Sequence, residues 1–481
     1  MKTKYLTAET KHNLRILKKT TDPEVIAQVL EGVFQRPMTM QEIWEYRSWY
    51  LSRTEEQLEK NPALRWGKAR ILVMQGRLEK ARQELEKLPE GPYKAISALS
   101  LPGTSVENIR EAIRTVNENG WTLQQHMPLT AGRPSVLNGM WDFSTYKEKL
   151  TAEDSIPRQM FACIRPEETD VIMDLLEAER LYQRNDSYDA LVLAVAKTPV
   201  LKDKQDMRLL FVALTVELYV LVTNGQATAA GPVMDNLRSH IIANGMEAYL
   251  ANIDAMEAWS AMYDADHTKV TRWLREGAPD EYKEFCMLDL FRYMIKLRAY
   301  LIQGKHLAVT SLAGRLSPLL EKGGRYMDMC ELHLLWAMSD HADGREQEAM
   351  DHMSIALELA QEYRFDRLIA DEGQKARELL QLYRRQRGDS IYLERLLGLT
   401  QRTAELYPQY LSSHLTHLPS LTDAEMRVLR LLAACLTNAE IGQRTGTAID
   451  TVKQHCRHIF AKLNVKNRQQ AVQKANEIGL L

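Results

Sequence analysis

The sequence predicts an all-α protein in which a solenoid of stacked helical hairpins is followed by a small four-helix domain. A turn signal returns about every forty residues through the middle of the chain, and apolar residues follow helical spacing on both sides of each turn. A polar stretch rich in Ser and His then precedes a basic last segment. At 481 residues the chain is too long for one ordinary core, so we expect several folding units.

The composition is that of a globular, helix-rich protein. Hydrophobic residues make up 45% of the chain and charged residues 26%, and only eight residues are Phe. No apolar run reaches eighteen residues and the first residues lack the pattern of a signal peptide, so we expect a cytoplasmic protein without membrane contact. Five scattered cysteines show no metal or redox spacing, which predicts reduced thiols and no metal site: Cys163, Cys286, Cys330, Cys435 and Cys456.

Charge is divided unevenly along the chain. From Leu421 onward there are nine Lys and Arg against five Asp and Glu, a net charge of +4. The whole chain carries −2, which leaves −6 for residues 1–420. The basic end is therefore the candidate DNA-binding module, whereas the acidic remainder should repel phosphate.

The repeat consists of a turn residue followed five positions later by a small apolar residue. Such a pair needs a tight turn and then a small side chain where two helices cross closely, which is typical of a helical-hairpin solenoid. The pairs are Asn185 with Ala190, Gly225 with Ala230, Ala265 with Val270, Gly304 with Val309, and Gly344 with Ala349.

Each unit resembles a tetratricopeptide repeat, although the forty-residue period exceeds the usual thirty-four. A related unit stands alone earlier, with Gly76 and Ala81. If tetratricopeptide geometry holds, one recurring first-helix position faces the concave side and offers an aromatic and charged stripe for an effector, either a small molecule or a protein. The alternative that the aromatic members only pack between helices stays open. The stripe consists of Glu179, Tyr219, Trp259, Arg298 and Met338.

A helix-breaking stretch from Gly132 to Ser144 lies between the early unit and the regular array. Asn138-Gly139 signals a tight turn within it. One interpretation is a loop that shapes a ligand or interdomain contact through Arg133, Trp141 and Asp142, and the other is a structural crossover between helical blocks. We accordingly divide the chain into an N-terminal helical region (1–164), a solenoid (165–407), a linker (408–420) and a C-terminal domain (421–481).

The C-terminal segment shows the pattern of a helix-turn-helix. Thr422 and Glu425 predict a capping box that opens a supporting helix. Asn438 is expected to cap a short second helix through Arg444, and Gly446 permits the turn that follows it. Three apolar residues fall on one face of this supporting helix: Met426, Leu429 and Leu432.

A longer third helix is predicted from about Ile449 to Leu463. Its inward positions are Val452, Cys456, Ile459 and Leu463. Its opposite face presents Lys453, Gln454 and Arg457 within a turn and a half, and these are residue types that reach base edges.

This segment resembles the LuxR-type DNA-binding domain over its full length. The residues that carry the resemblance are Leu421, Thr422, Glu425, Asn438, Glu440, Ile441, Thr451, Val452, Lys453, His455, Lys462, Leu463, Asn467, Arg468, Ala471, Gly479, Leu480 and Leu481. Four positions depart from the family pattern: Ala424, Cys435, Thr445 and Ala448. Ala448 stands where a capping serine is expected, and a lost cap costs about 1 kcal/mol.

The resemblance implies a set of DNA contacts and partners. Lys453, Gln454 and Arg457 would enter the major groove. The residues near phosphates would be Asn438, Thr451 and Lys462. A fourth helix, at about residues 469–478, would mediate homodimerisation on double-stranded DNA, with RNA polymerase as a further candidate partner.

The solenoid region, about 165–375, resembles the helical sensor arm of the large ATP-dependent LuxR regulators, the group of the maltose-regulon activator. No G-x-x-x-x-G-K-[ST] motif occurs in the sequence, because Gly304-Lys305 is followed by His306. We therefore predict no cofactor, no enzymatic activity and no ATP-driven switching, but a bacterial regulator whose solenoid senses an effector. The alternative is a protein-interaction scaffold or anti-regulator whose helix-turn-helix does not bind DNA.

Overall fold

The computed structural model describes residues 6–33, 40–121, 134–139, 141–146, 152, 154–204, 206–412, 421–434, 436–463 and 465–477. Regular structure in these ranges is helical, as predicted, apart from an isolated antiparallel β-bridge between Asn138 and Asp142. No helix in the described ranges has the length and hydropathy needed to cross a membrane.

The N-terminal region is a cluster of short helices. They are α1 (Ala8–Lys19), α2 (Pro23–Gly32), α3 (Met40–Glu45), α4 (Arg47–Leu51), α5 (Glu55–Lys60), α6 (Pro62–Met74), α7 (Leu78–Glu86), α8 (Pro92–Ala95), α9 (Ser97–Ser100), α10 (Val106–Glu118) and α11 (Ile156–Ile164). The lone repeat-like unit is the α6–α7 hairpin, where Gly76 has φ +71° and Ala81 is buried.

The regular array follows as longer helices packed in successive pairs. They are α12 (Thr169–Gln183), α13 (Ser187–Asp203), α14 (Met207–Thr223), α15 (Ala230–Ala243), α16 (Leu250–Tyr263), α17 (His267–Glu276), α18 (Leu290–Ile302), α19 (His306–Lys322), α20 (Tyr326–Ala342), α21 (Glu346–Tyr363), α22 (Asp366–Ala370), α23 (Gly373–Arg387) and α24 (Ile391–Leu406). Short 3₁₀ turns occur at Phe143–Thr145, Ala227–Ala229, Glu247–Tyr249 and Met287–Asp289.

The turn between the helices of each pair has the conformation that the repeat predicts. All five predicted turn residues have left-handed backbone angles: Asn185 (φ +70°), Gly225 (+80°), Ala265 (+53°), Gly304 (+62°) and Gly344 (+79°). Each paired small residue is at most 1% exposed: Ala190, Ala230, Val270, Val309 and Ala349. The forty-residue rhythm thus marks the tight turn and the close helix crossing of every hairpin, which confirms the solenoid.

Two large apolar clusters run through the described part of the chain before residue 413. The first extends from Leu6 to Leu288, so the N-terminal helices and the early hairpins share one core. The second extends from Leu218 to Leu411. Tyr410 and Leu411 fall within the predicted 408–420 linker, yet both are only 2% exposed. Packing therefore continues at least to Leu411.

The C-terminal domain has a core of its own, formed by residues between Val428 and Ala475. Its helices are α25 (Asp423–Ala433), α26 (Asn438–Thr445), α27 (Ile449–Lys462) and α28 (Arg468–Glu477). The fourth helix begins one residue before the predicted start, and Ile478 and Cys435 lie outside the described residues.

Candidate DNA interface and effector cavity

The second helix of the C-terminal domain, α26, begins with a capping box. The Thr437 hydroxyl accepts from the Glu440 backbone N–H at 3.4 Å, and the Glu440 carboxylate accepts from the Thr437 backbone N–H at 2.6 Å. The prediction that Asn438 is the cap is therefore wrong by one residue. Thr437 precedes the helix and its hydroxyl reaches the third helical N–H, whereas Asn438 is already the first helical residue.

The turn between α26 and α27 depends on two glycines. Gly446 ends α26 with φ +67°, as the sequence indicated. A Cβ on Gly442 would lie 2.8 Å from the Thr447 carbonyl oxygen, too close for any side chain. Gly442 therefore lets the turn fold back against α26 and sets the angle between the two helices.

Helix α27 separates a buried face from an exposed one. Its predicted inward residues are all buried: Val452, Cys456, Ile459 and Leu463. On the opposite face the side chains of Thr451, Lys453, Gln454 and Arg457 are exposed. This is the arrangement that a recognition helix needs, because one face is anchored in the domain and the other meets solvent or DNA.

Two features of α27 determine how strongly it is held. Ala448, at its N-cap, makes no side-chain hydrogen bond, so the predicted loss of a cap is observed. Lys462 binds the buried Glu425 carboxylate at 2.6 Å. Burial acts to raise the pKa of Glu425, but Lys462 and Thr422 outweigh it and lower that pKa. Lys462 therefore ties α27 to α25, and its contact with phosphate stays a prediction.

Two other polar residues have contacts within the domain. Lys453, although exposed, has an ion-pair partner in Asp450, whose carboxylate lies 3.0 Å from the Lys453 Nζ. Arg468, at the start of α28, donates to the carbonyls of Leu432 and Leu436 and so holds the end of α25.

A cavity of about 100 Å³ lies in the solenoid. Four of the five predicted effector residues line it: Glu179, Tyr219, Trp259 and Arg298. Met338 does not, and this part of the effector prediction is corrected. The cavity meets α20 near Met327 and Glu331, so Met338, farther along the helix, is buried in the second core cluster.

Arg298 is buried in the cavity wall among acidic partners. Its Nε lies 2.9 Å from the Glu372 carboxylate and its Nη1 lies 2.7 Å from that of Glu331. Burial alone would lower the pKa of Arg298, but the two carboxylates outweigh this effect and raise it well above its usual value. The guanidinium thus organises the wall by holding Glu331 and Glu372.

The aromatic side chains form a continuous series along the cavity. Tyr182 stacks on Tyr219 with ring centroids 5.3 Å apart, and Tyr219 meets the Trp259 ring edge-on at 5.1 Å. Trp259 in turn contacts Tyr263 at 5.0 Å. The rings of Tyr219 and Trp259 thus pack between helices and also line the cavity, and their contact with an effector stays a prediction.

The loop before the solenoid closes one side of this cavity. The Glu179 carboxylate accepts the Ser135 hydroxyl and the backbone N–H groups of Val136 (2.9 Å) and Leu137 (3.1 Å). Arg325 donates to the carbonyls of Asn138 (3.3 Å) and Gly139 (2.7 Å). The loop is thus fastened to the solenoid at two points, and its part in a ligand contact stays a prediction.

Of the three side chains predicted to supply the chemistry of this loop, the two that the structure describes do not line the cavity. Asp142 accepts the Met327 backbone N–H at 3.0 Å and so fastens the loop to α20. Trp141 packs against the first core cluster. Arg133 and Gly132 lie outside the described residues.

The cavity wall is also connected to the last residues described before the C-terminal domain. The Tyr410 hydroxyl donates to the second carboxylate oxygen of Glu372 at 3.0 Å, while Arg298 holds the first. The Tyr410 ring stacks on Tyr263 with centroids 4.1 Å apart. Tyr407 donates to the Val222 carbonyl at 2.6 Å. Glu372 therefore bridges the cavity and the end of the solenoid.

Sequence reasoning missed four of these residues. Glu372 and Tyr410 lie outside the repeat register, so no periodic signal marks them. Gln183, which also lines the cavity, lies just before the turn of the first regular hairpin, where the repeat marks only Asn185. Asn138 was interpreted as a turn residue only, and its place beside the cavity depends on tertiary packing.

Comparisons with known proteins agree with this geometry. Residues 419–475 match the family described as bacterial regulatory proteins, luxR family. An HTH-type transcriptional regulator MalT of Klebsiella pneumoniae is 25% identical over 289 residues, which is 54% of this chain and 32% of that protein. A MalT of Serratia proteamaculans is 25% identical over 279 residues, covering 51% and 30%, and one of Yersinia pestis is 29% identical over 123 residues, covering 26% and 12%.

The aligned parts of this chain thus cover less than a third of the length of these relatives. The family match falls on the helices that form the helix-turn-helix, and the longer alignments reach well beyond them. The C-terminal domain is therefore a LuxR-type helix-turn-helix domain, and the chain that carries it resembles the MalT transcriptional regulators.

Proposed function

We propose that this protein is a sequence-specific, DNA-binding transcription regulator whose helical solenoid senses an effector and controls the C-terminal helix-turn-helix. The observation that carries the DNA-binding part is the two-sided α27. Val452, Cys456 and Ile459 anchor it in the domain core, while Lys453 and Arg457 stand exposed on the other face.

The proposed DNA contacts divide by chemistry. Lys453, Gln454 and Arg457 are the base-reading residues, since Lys and Arg pair with guanine edges and Gln with adenine. We assign phosphate contacts to Thr451, Asn438 and Lys462. The fourth helix, α28, is proposed to join two copies of the domain on a two-half-site operator.

The effector part of the proposal is supported by the cavity and its connections. The cavity is lined by residues of the loop, of successive hairpins and of the segment around Glu372. Through Tyr410, Glu372 also holds the stretch that leads to the C-terminal domain. A ligand that alters the position of Glu372 would change how that stretch is held, and such a change shifts the population of DNA-binding states.

The direct test is DNA binding at two salt concentrations, with the full-length protein and a fragment of residues 414–481 on the DNA upstream of its own gene. The fragment contains the separate C-terminal core. We expect salt-sensitive binding by the fragment and weaker binding by the full-length protein, because the solenoid restrains the domain.

Charge-matched variants separate base reading from general attraction. Lys453→Ala with Arg457→Ala should weaken specific binding by about 30-fold or more, since each lost base contact costs about 1–3 kcal/mol. The control replaces two exposed cations outside α27, Arg430→Ala with Lys466→Ala, and should lose much less. Absence of DNA binding by every form would reject the regulator and favour the interaction scaffold.

A further inference from the structure

We propose that the solenoid cavity binds a small, planar, non-anionic nitrogen heterocycle that carries a hydrogen-bond donor beside an acceptor and pairs with the Asn138 side-chain amide. This inference rests on the proposed effector function and names the ligand class of the same cavity. It follows from the size of the cavity, its unpaired amides, its acidic charge and its aromatic wall.

The size of the cavity limits the ligand to about one ring. Its volume is about 100 Å³. A buried cavity of roughly 150 Å³ accommodates benzene, which sets the scale. At about two thirds of that volume, the cavity admits at most a single six-membered ring, with a small adjustment of its wall, and it excludes a chain of several rings.

Two amide side chains in the wall present unused hydrogen-bonding groups. Asn138 is only 1% exposed, and neither its Oδ1 nor its Nδ2 has a partner within the described part of the chain. Gln183 lines the same cavity, and its buried Oε1 is likewise unpartnered there. Buried polar groups of native proteins are normally hydrogen-bonded, so these atoms indicate a missing partner inside the cavity.

The chemistry of an amide specifies the edge of that partner. An amide offers one acceptor and one donor side by side, and it pairs in two hydrogen bonds with an edge that has a donor beside an acceptor. Asn and Gln recognise nucleobase edges in this way. Cyclic amides, imides and amino-substituted azines all have such an edge.

Carboxylates outnumber cations among the described residues of the wall, where Arg298 is the cation and the acidic residues are Glu179, Glu331, Asp371 and Glu372. Arg298 is held by Glu331 and Glu372. Asp371 is bound by Arg367 and by the Tyr182 hydroxyl. An anionic ligand would have to displace one of these carboxylates or be buried without a counterion, which is strongly unfavourable. The wall therefore excludes an anionic ligand.

The apolar part of the wall favours a flat ring. Tyr219 and Trp259 line the cavity with their rings edge-to-face, and Phe291 lines it too. Aromatic side chains bind flat π-systems through stacked or edge contacts. A planar heterocycle can satisfy Asn138 along one edge and contact these rings with its surface.

Direct binding to the full-length protein tests this inference, by saturation-transfer NMR and titration calorimetry. The probes are uracil, cytosine and nicotinamide, each flat and neutral with a donor beside an acceptor. Glucose, a non-planar polyol, and benzoate, a flat anion, serve as comparison ligands. We expect at least one heterocycle to bind, and neither comparison ligand.

Two variants locate the binding. Asn138→Leu removes both amide contacts at similar size, and binding should weaken ten- to a hundredfold, with helix content retained by circular dichroism. Asn138→Asp keeps the shape and should also weaken binding, because it replaces the donor with an acceptor. The matched control, Asn236→Leu, changes an exposed asparagine of α15 and should leave binding unchanged.

Binding of glucose instead of the heterocycles, heterocycle binding that survives Asn138→Leu, or no binding of any probe would each overturn the assignment. The DNA-binding test is separate, since it uses no probe. Heterocycle binding without DNA binding would refute the proposed regulator and retain the cavity assignment. DNA binding without heterocycle binding would do the reverse.

Discussion

Removing the guanidinium of Arg298 should destabilise the solenoid far more than removing an exposed arginine. In Arg298→Met the buried Glu372 carboxylate, only 1% exposed, keeps the Tyr410 hydroxyl but loses its cation. Breaking a buried ion pair by removing one partner costs about 3–5 kcal/mol, because the remaining charge is uncompensated. Met retains most of the apolar volume of the arginine stem, so the loss should report the charge and not a cavity.

The assay is urea unfolding of the full-length protein, followed by circular dichroism at 222 nm through the solenoid transition. Arg275→Met is the matched control, since the Arg275 side chain is 70% exposed and pairs with its exposed neighbour Glu276 at 2.6 Å. An exposed pair contributes about 0–1 kcal/mol. The double variant Arg298→Met with Glu372→Leu should recover much of the loss, because no buried charge of that pair is left.

If Arg298→Met lowers the free energy of unfolding as little as Arg275→Met does, this reasoning is refuted. It is also refuted if the loss in the double variant equals the sum of the losses in the two single variants.

Tyr410→Phe tests the same cluster through the other hydrogen-bond partner of Glu372. It removes one hydrogen bond to a charged group and should cost about 1.5–3 kcal/mol. If Glu372 couples the cavity to the C-terminal domain, Tyr410→Phe should also bring full-length DNA binding closer to that of the fragment.

Three further predictions concern turns, caps and pH. Gly344→Ala should lower the free energy of urea unfolding by about 1 kcal/mol, because φ is +79° and only the backbone conformation opposes a Cβ, which would meet nothing within 4 Å. Ala265→Gly should raise it by a smaller amount, because glycine adopts φ +53° without strain. Ala448→Ser should stabilise the 414–481 fragment against heat by about 1 kcal/mol, by supplying the missing cap of α27; an unchanged Tm would contradict this. Burial and His352 lower the pKa of His333 to about 4, below the 6.5 of the unfolded chain, so His333 resists protonation only when folded. Stability should therefore fall by about 2 kcal/mol from pH 7 to pH 5, relative to a His333→Phe variant measured at both pH values.

Much of the fold could be predicted because its determinants are local. A tight turn at Gly225 or Gly344 and a small residue five positions later are properties of a short segment, and they recur at a fixed spacing. The two faces of α27 follow in the same way from helical periodicity. Even the non-glycine turn at Ala265 could be placed, because its neighbours define the register.

The cavity could be predicted only in part, because it depends on contacts between distant segments. The recurring concave position identified Tyr219 and Trp259, which face one another across consecutive hairpins. It failed at Met338, since the cavity does not extend that far along α20. Asn138 comes to the cavity from a loop 41 positions before Glu179, and no periodic pattern connects the two.

Two hydrogen bonds from an effector to Asn138 would supply the free energy that the proposed switch requires. A tenfold change in DNA binding needs a difference of about 1.4 kcal/mol in effector binding between two states of the protein. Satisfying one buried amide contributes about 1 kcal/mol per hydrogen bond, and Asn138 offers two. The Asn138 loop is held to the solenoid by Glu179 and Arg325, and the same wall holds Tyr410 through Glu372. An effector that binds only when the loop is closed would therefore favour one arrangement of the end of the solenoid, and this is the physical requirement for control of the helix-turn-helix.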